Sequence, residues 1–308
     1  MISIVVPVFN EQDVLLQFYQ HICKVVTHIN MSYELIFVND GSSDKSSEII
    51  VGIIKNDNNV KSVEFSRNFG HQAAIAAGLD YAEGEAVITL DADLQHPPEL
   101  IPELISKWQQ GYDVVYTCRK DTEDSNLFKK YTSLFFYKIM NSLSKVDVPA
   151  GTADFRLLDR KVVDAFCSMN EHRPFIRGLV CWMGYRQIGI AYQAPARYAG
   201  KSKYSLTRMI GFAVDGIVSF SSIPLYLSAL MGLIISMLSF AYAIYVIYSW
   251  LFTNRNIEGW TSLMLVVLFI GGIQLITLGV LGTYLGRIYD ETKDRPRYLV
   301  RQEYGFNK

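Results

Sequence analysis

Two aspartates spaced two residues apart, Asp91 and Asp93, end an apolar run and are the strongest chemical signal in the chain. The run, residues 86–90, is rich in β-branched side chains and predicts a buried parallel strand. Open α/β sheets bind ligands beyond the carboxyl ends of such strands. Two acids there repel each other unless a cation holds them. A hard divalent ion shared with nucleotide phosphates would do so, and two solvated turn acids are the simpler alternative.

Alternating strand and helix patterns in the first part of the chain would position these acids. We expect strands at residues 2–8, 33–38, 60–65, 86–90 and 114–117, and helices at residues 13–27, 45–55, 72–81 and 98–109. This βαβα order predicts a mainly parallel sheet with helices on both faces. Asn39 and Asp40 follow the second strand and should reach the same edge. The glycine fingerprint of dinucleotide sites is absent after the first strand, which argues against a dehydrogenase-type site.

Apolar residues are concentrated in the last third of the 308-residue chain. Residues 224–251 and 262–286 contain no charged side chain, and each segment is long enough to cross a bilayer. Buried helices of a soluble core are the alternative. Basic residues flank the pair, whereas the connecting loop holds one Arg and one Glu. This pattern predicts that both termini are cytoplasmic. The membrane is expected to be the inner membrane of the cell. The chain start has no basic leader or cleavage site, so we expect no signal peptide.

Four segments are expected from these patterns. They are an α/β domain at residues 1–204, a juxtamembrane amphipathic helix at 205–222, two transmembrane helices within 223–286, and a cytoplasmic tail at 287–308. Residues 127–143 mix Lys with aromatic side chains, which is typical of a helix at the lipid headgroup boundary. Packing against the α/β domain is the alternative for both amphipathic helices. The four cysteines lack close spacing, which suits reduced cytosolic thiols and argues against a zinc site.

Three motifs occur in an order that resembles family 2 glycosyltransferases. They are VVPVFNE at residues 5–11, VNDGSSD at 38–44 and DADLQHPP at 91–98. Further matches at residues 65–70, 151–156 and 197–204 extend the resemblance over nearly the whole chain. It is closest to the membrane-bound polyprenyl-phosphate branch, which includes dolichyl-phosphate mannose synthase and the bactoprenol glucosyltransferases. The resemblance implies a GT-A (Rossmann-like) fold, a nucleotide-sugar donor, a Mg²⁺ or Mn²⁺ ion and a lipid-phosphate acceptor.

The resemblance also assigns residues to the donor and the metal. The nucleotide-sugar set is Pro7, Phe9, Glu11, Asp40, Arg67 and Asp91, of which the first four would surround the base and ribose. The metal set is Asp91, Asp93 and Gln95, held against the diphosphate. Many relatives have Tyr at the position of Phe9, so a hydroxyl contact is lost there while the apolar packing remains. His71 and His96 are expected to be polar neighbours, since a hard cation with oxygen ligands has no need of imidazole.

The acceptor phosphate is already an anion at cytosolic pH, because its second pKa is near 6. A strong general base is therefore unnecessary, and cationic side chains are needed to hold the phosphate. The predicted lipid-phosphate set is Arg119, Lys129, Arg197 and Lys203, of which the resemblance places Arg119 and Lys203 on the acceptor loops. A solvated or headgroup-facing charge is the alternative for each.

Asp154 is the remaining carboxylate of interest, in a segment of small residues that allow close approach of a ligand. It would face the sugar and the acceptor, as a nominal base or as an orienting group, with Arg156 keeping it ionised. A purely structural pair with Arg156 is the alternative. Asp154, Asp93 and Arg119 form the predicted catalytic set.

The expected activity is transfer of one hexose to undecaprenyl phosphate with inversion at the anomeric carbon. The resemblance to the bactoprenol glucosyltransferases implies UDP-glucose as the donor and a product that serves O-antigen or other cell-envelope glycan modification. Mannose and aminoarabinose stay open, as does the choice between Mg²⁺ and Mn²⁺. We expect no nucleic-acid partner. Glycines in the second span would allow close packing with a copy, so a homo-oligomer also stays open.

Three other functions fit the sequence less well. A processive polysaccharide synthase would carry a Gln-x-x-Arg-Trp motif and more spans. A permease would carry ionisable residues within its spans. A catalytically silent nucleotide-sugar-binding scaffold would have no need of the intact set of Asp40, Asp91, Asp93 and Asp154.

Overall fold

The computed structural model describes residues 1–29, 31–120, 149, 151–169, 171–172, 174–193, 218, 221–253 and 259–306. They belong to two compact units. The sheet unit comprises the described residues up to 193 and again from Arg295, and the helical unit ends at Asp294. The interfacial helix predicted at 127–143 and nearly all of the juxtamembrane helix predicted at 205–222 lie outside the described residues.

Eight strands form a single sheet in the sheet unit. They are β1 (Ile2–Val8), β2 (Tyr33–Asn39), β3 (Val60–Phe65), β4 (Ala86–Thr89), β5 (Val114–Lys120), β6 (Thr152–Asp159), β7 (Gln187–Gln193) and β8 (Val300–Tyr304), in the spatial order β7-β5-β6-β4-β1-β2-β3-β8. β1 pairs in parallel with β2 and β4, β2 with β3, and β5 with β7. β6 and β8 run antiparallel to their neighbours. The predicted GT-A-like, mainly parallel sheet is confirmed.

Helices cover this sheet, and the first four of them occur in the predicted order, whereas the last two were not predicted. They are α1 (Leu15–Val26), α2 (Ser46–Ile54), α3 (His71–Tyr81), α4 (Ile101–Gln109) after a short 3₁₀ turn at Pro98–Leu100, α5 (Arg160–Cys167) and α6 (Ile176–Trp182). Every residue of β1 and β4 is buried. This burial explains why these strands have continuous apolar runs and no alternation, as expected for a parallel sheet covered on both faces.

Two long helices, α7 (Ile223–Thr253) and α8 (Trp260–Thr292), make up the helical unit. Ile223–Tyr248 and Val266–Thr292 are long and apolar enough to cross a membrane. Large apolar side chains on both helices face outward, as shown by Leu238 and Phe269, which are 66% and 65% exposed. Such surfaces are costly in water, so the exposure disfavours the alternative of buried soluble-core helices.

The chain returns to the sheet unit after α8. Val300–Tyr304 adds β8 to the edge of β3, although the sequence pattern of residues 287–308 predicts only a cytoplasmic tail. The sheet that begins with the first residues of the chain is therefore completed by almost the last ones.

Candidate active site

The loops that follow β1 and β2 are bound to each other at the carboxyl edge of the sheet. The Asn10 N–H donates to Ser42 Oγ at 3.0 Å, and the Ser43 N–H donates to Asn10 Oδ1 at 2.8 Å. The Glu11 N–H donates to Ser46 Oγ at 3.0 Å. Asn10 has a φ of 55°, in the left-handed region that Asn tolerates better than most residues. These bonds fix the loop that carries the predicted donor residues after β1.

Asp40 is buried at the end of β2 and is held by backbone donors from the next loop. Its carboxylate accepts the N–H groups of Phe69 at 2.6 Å and Gly70 at 3.0 Å. The two loops touch so closely that a Cβ on Gly41 would lie 2.5 Å from the carbonyl carbon of Arg67. Burial raises the pKa of Asp40, although the two N–H donors oppose that rise. The position of Asp40 therefore depends on residues 66–70, which we name the donor loop.

The chain after β4 makes a tight turn that carries Asp91 and Asp93. Leu94 has a φ of 60°, and the Gln95 N–H donates to Asp93 Oδ1 at 3.1 Å. The turn brings His96 back so that its Nδ1 accepts the Asp91 N–H at 3.0 Å. This acceptor role assigns the proton of a neutral His96 to Nε2. His96 thus fixes the backbone of Asp91 through this hydrogen bond.

The carboxylate oxygens available at this turn are suitable ligands for a divalent cation. Asp91 Oδ1 is buried and accepts no hydrogen bond from the part of the chain that the structure describes. Within the same residues, no group of three or more His, Cys, Asp or Glu side chains is arranged to hold a metal ion. Two carboxylates would therefore need further oxygen ligands from a bound phosphate, which suits a hard cation. Gln95, the third predicted ligand, instead has its Oε1 3.5 Å from Arg119 Nη1.

Asp154 is buried on β6 and is clamped by Arg177 from α6. Arg177 Nε and Nη2 donate to the two carboxylate oxygens, each at 2.7 Å. Arg156, the partner expected from the sequence, is more distant, with its Nη2 3.7 Å from Asp154 Oδ1. Burial opposes the ionised form, but Arg177, together with His71 and Arg156, outweighs it and holds the pKa of Asp154 well below its usual range. A carboxylate in this state is an anion that orients other groups and is a weak base.

Neighbouring strands hold the backbone around Asp154. Thr89 Oγ1 donates to the Asp154 carbonyl at 2.5 Å, and Thr117 Oγ1 donates to the Phe155 carbonyl at 2.9 Å. The Phe155 ring in turn stacks on His96, with ring centroids 5.5 Å apart. The segment of Asp154 and the turn of Asp91 are therefore parts of one packed structure.

His71, the first residue of α3, lies between the two acidic segments. Its Nε2 is 3.4 Å from Asp91 Oδ1 and 3.6 Å from Asp154 Oδ2. Desolvation disfavours the charged ring, but the two carboxylates outweigh it and raise the pKa of His71 to about 9. His71 thus carries positive charge beside the acids at neutral pH.

A cavity of about 730 Å³ joins these features, a size typical of small-molecule sites. Of the predicted residues, it is lined by Pro7, Phe9, Glu11, Asp40, Asp91, Asp93 and Asp154. His71 and Arg177 also line it, and Arg177 was not anticipated, because it belongs to no motif.

Other predicted site residues lie elsewhere. Arg67 packs its guanidinium over the Phe69 ring at 4.4 Å, and Gln95 and Arg119 contact each other. None of these three is among the lining residues. Lys129, Arg197 and Lys203 lie outside the described residues.

The sequence profile of Glycosyl transferase family 2 matches residues 3–166, which include the cavity residues from β1 to β6. The chain belongs to this family. It is therefore a glycosyltransferase, as the three ordered motifs predicted. The match ends before Arg177.

Relatives resemble this family 2 chain over almost its whole length. The uncharacterized glycosyltransferase YkcC of Bacillus subtilis is 48% identical over 98% of this chain and 94% of its own. The bactoprenol glucosyl transferase of Shigella phage SfV is 40% identical over 98% of each chain. A prophage bactoprenol glucosyl transferase homolog of Escherichia coli is 38% identical over 98% of each chain. The similarity thus includes the two long helices as well as the sheet unit.

Proposed function

We propose that the chain transfers one glucose unit from UDP-glucose to undecaprenyl phosphate at the cytoplasmic face of the inner membrane. The transfer inverts the anomeric carbon and depends on Mg²⁺ or Mn²⁺. One observation carries the proposal: the cavity of a family 2 chain brings together Asp91, Asp93 and the clamped Asp154. Full-length relatives named bactoprenol glucosyl transferase support the lipid acceptor and the glucose.

The donor would bind along the first two loops of the cavity. Phe9 is 39% exposed and offers an apolar face for the base, while Asp40 and Glu11 supply carboxylates for the ribose and base. Arg67 belongs to the donor loop, of which Asn68 and Gly70 line the cavity. These side chains bind and orient the nucleotide and take no part in bond breaking.

Asp91 and Asp93 would hold the divalent ion, with its remaining ligands from the diphosphate. When bound, such an ion stabilises the charge that develops on the departing diphosphate. The buried Oδ1 of Asp91, which accepts no hydrogen bond from the described residues, supports this assignment. Gln95 would join the set only by giving up its contact with Arg119.

The acceptor phosphate needs positioning more than deprotonation. Holding one phosphate oxygen in line with the anomeric carbon can supply roughly 7 to 11 kcal/mol of the barrier reduction. Arg119, Lys129, Arg197 and Lys203 are proposed to hold this phosphate. Asp154 would orient the sugar, because its clamp by Arg177 keeps it ionised and makes it a weak base.

Chain connectivity supports a single side of the membrane for the sheet unit and both termini. Two crossings by α7 and α8 return the chain to the side from which it left, and β8 then joins the same sheet. The Lys and Arg residues that flank the two helices support the cytoplasm as that side.

A panel of labelled nucleotide sugars, incubated with undecaprenyl phosphate and membranes containing the protein, tests the proposal. We expect label from UDP-glucose in the lipid phase, its loss with EDTA, and its recovery with Mg²⁺ or Mn²⁺. Label from another nucleotide sugar would overturn the choice of glucose. An absence of lipid label with every donor, in a protein that still binds nucleotide, would favour the silent scaffold.

A further inference from the structure

Residues 297–299 precede β8, and we name them the C-terminal brace, because Tyr298 and Leu299 contact the end of β3 and the residue after it. The Tyr298 ring stacks on Phe65, with centroids 4.9 Å apart and planes 16° apart. The Leu299 carbonyl accepts the Ser66 N–H at 2.9 Å. The brace therefore contacts both the last residue of β3 and the first residue of the donor loop.

Tyr298 is itself fixed at its far end. Its hydroxyl donates to Asp80 Oδ2 at 2.9 Å, near the end of α3. The next residues form β8, which pairs with β3 from Ser62 to Phe65. The ring is thus held at both ends and offers a rigid surface to Phe65.

Contacts continue from Phe65 to the buried carboxylate of the donor site. The Phe65 ring meets the Phe69 ring edge-on, with centroids 5.7 Å apart. The backbone N–H groups of Phe69 and its neighbour Gly70 donate to Asp40. A continuous series of contacts therefore runs from Tyr298 to Asp40.

The donor loop has little burial of its own to fix its position. Ser66, Arg67 and Asn68 are all exposed, while the carboxylate that Phe69 and Gly70 must reach is buried. Exposed segments with few packed contacts open most readily. An outside support that packs on Phe65 would keep the two N–H groups aimed at Asp40.

We propose that the C-terminal brace is a positioning element of the donor site, in which Tyr298 acts through Phe65 and the donor loop to hold Asp40. Tyr298 is not among the residues that line the cavity, so its effect on the donor is indirect. The site is thereby supported by the segment that follows α8. The inference rests on the proposed function only for the identity of the donor.

Full-length protein in detergent, carrying Tyr298→Ala or Tyr298→Phe, tests this inference. In Tyr298→Ala we expect the KM for UDP-glucose and the Kd for UDP to rise about tenfold with kcat within about twofold, since lost donor positioning weakens ground-state and transition-state binding alike. Amide exchange in a peptide covering the donor loop should accelerate. Tyr298→Phe keeps the stacked ring and loses only the hydrogen bond to Asp80, so KM and Kd should rise by no more than about threefold.

Arg301→Ala is the matched control. This side chain on β8 is 70% exposed, and its ion pair with Glu64 is long, at 3.6 Å, so its loss should cost little. It should leave KM and exchange unchanged. If Tyr298→Ala fails to fold, Tyr298→Leu replaces it in the same measurements. Unchanged KM and unchanged donor-loop exchange in a folded variant would overturn the inference, as would equal losses in the Ala and Phe variants. A wild type that binds no UDP would instead contradict the proposed donor, and the exchange measurement would still decide on the brace.

Discussion

Glu34 and Asp91 lie at opposite ends of the central strands and differ in how fully their carboxylate oxygens are hydrogen-bonded. At the amino end, Glu34 accepts hydrogen bonds from Ser3 Oγ, from Lys61 Nζ at 2.8 Å and from the Glu83 N–H at 2.8 Å. At the carboxyl end, Asp91 Oδ1 is buried and accepts no hydrogen bond from the described residues.

Buried polar groups in proteins are normally satisfied, because leaving one unpaired costs free energy. The amino end follows this rule and contributes to stability. The carboxyl end departs from it where a cation and a diphosphate would supply the missing partners. We call the amino end, where Glu34 is fully hydrogen-bonded, the saturated end. We call the carboxyl end the incomplete end, because in the part of the chain that the structure describes Asp91 Oδ1 there has only the His71 Nε2 contact at 3.4 Å.

Removing a carboxylate from the incomplete end should give the largest effect on activity. In Asp91→Asn or Asp93→Asn we expect kcat to fall about 10²- to 10³-fold, as for loss of one group that stabilises developing charge. The thermal midpoint should change little. Asp91 Oδ1 has no hydrogen bond to lose within the described residues, only its 3.4 Å contact with His71 Nε2, and the Asn side chain at position 93 keeps an oxygen that can accept the Gln95 N–H. Asp164→Asn, with a side chain 65% exposed on α5, is the control. Wild-type turnover in the Asp91 and Asp93 variants would remove the proposed metal site.

The Asp154–Arg177 pair differs from Asp91, because both Asp154 oxygens accept hydrogen bonds although the side chain lines the same cavity. Asp154→Asn should lower kcat about 10²-fold while donor binding changes little, since the orienting charge is lost. Arg177→Lys keeps a positive charge but cannot donate in the planar bidentate manner, so we expect a smaller loss, about tenfold. Transfer rate and UDP affinity are the measurements. If the wild type, Asp154→Asn and Arg177→Lys had equal transfer rates and equal UDP affinities, the Asp154–Arg177 pair would have a purely structural role.

A substitution at the saturated end should lower the free energy of unfolding and leave kcat unchanged. Glu34→Gln removes the charge that Lys61 faces and should lower the free energy of unfolding by about 2 kcal/mol, with kcat unchanged. Thermal unfolding and transfer assays on the same preparation measure both. A fall in kcat without loss of stability would break the division between the two ends.

Low pH should remove the difference in stability between the wild type and Glu34→Gln. Burial raises the pKa of Glu34, but Lys61 and Ser3 outweigh it and the pKa ends below its ordinary value of 4.5. A lowered carboxylate pKa contributes stability that is full above the unfolded-state pKa and is lost as the pH falls through the folded-state pKa. The gap in thermal midpoint between wild type and Glu34→Gln should therefore be full at neutral pH and narrow below about pH 4.5. A gap that does not change with pH would contradict the assignment to this charge.

The smallest effect concerns the support of Asp91 by His96. In His96→Asn the side-chain oxygen can replace Nδ1 as acceptor for the Asp91 N–H, so activity should stay within about threefold of the wild type. In His96→Gln the amide lies one bond farther out, and we expect a loss of about tenfold. Transfer rates at saturating donor compare the two. A larger loss of activity in His96→Asn than in His96→Gln would show that the Nδ1 acceptor does not support Asp91.

Several residues that meet at the carboxyl edge of the sheet were predictable, because the strands that precede them were predicted to pair in parallel. Residues 2–8, 33–38 and 86–90 each show a strand signal, and parallel pairing brings their ends to one edge. Asp40, Asp91 and Asp93 follow those ends, so local patterns were enough to group them. Asp154 was singled out with them, through its small neighbours and the resemblance.

Arg177, the bridging position of His71 and the strand β8 were not predictable in this way. Arg177 reaches Asp154 from a short helix without a motif, and nothing in its neighbourhood marks it. Val300–Tyr304 has an exposed and polar centre, so it shows no core periodicity. It becomes a strand only because β3 offers it unpaired backbone groups.

By itself the sequence determined the alternation of strands and helices, the two apolar spans and the carboxylates at the strand ends, because these depend on local periodicity and on the geometry of parallel strands. Tertiary structure alone decided which cation clamps Asp154, which acid oxygen is left without a hydrogen bond among the described residues, and which segment supports the donor loop. Those outcomes depend on distances between residues far apart in the chain, and such distances are set only when the packed elements meet.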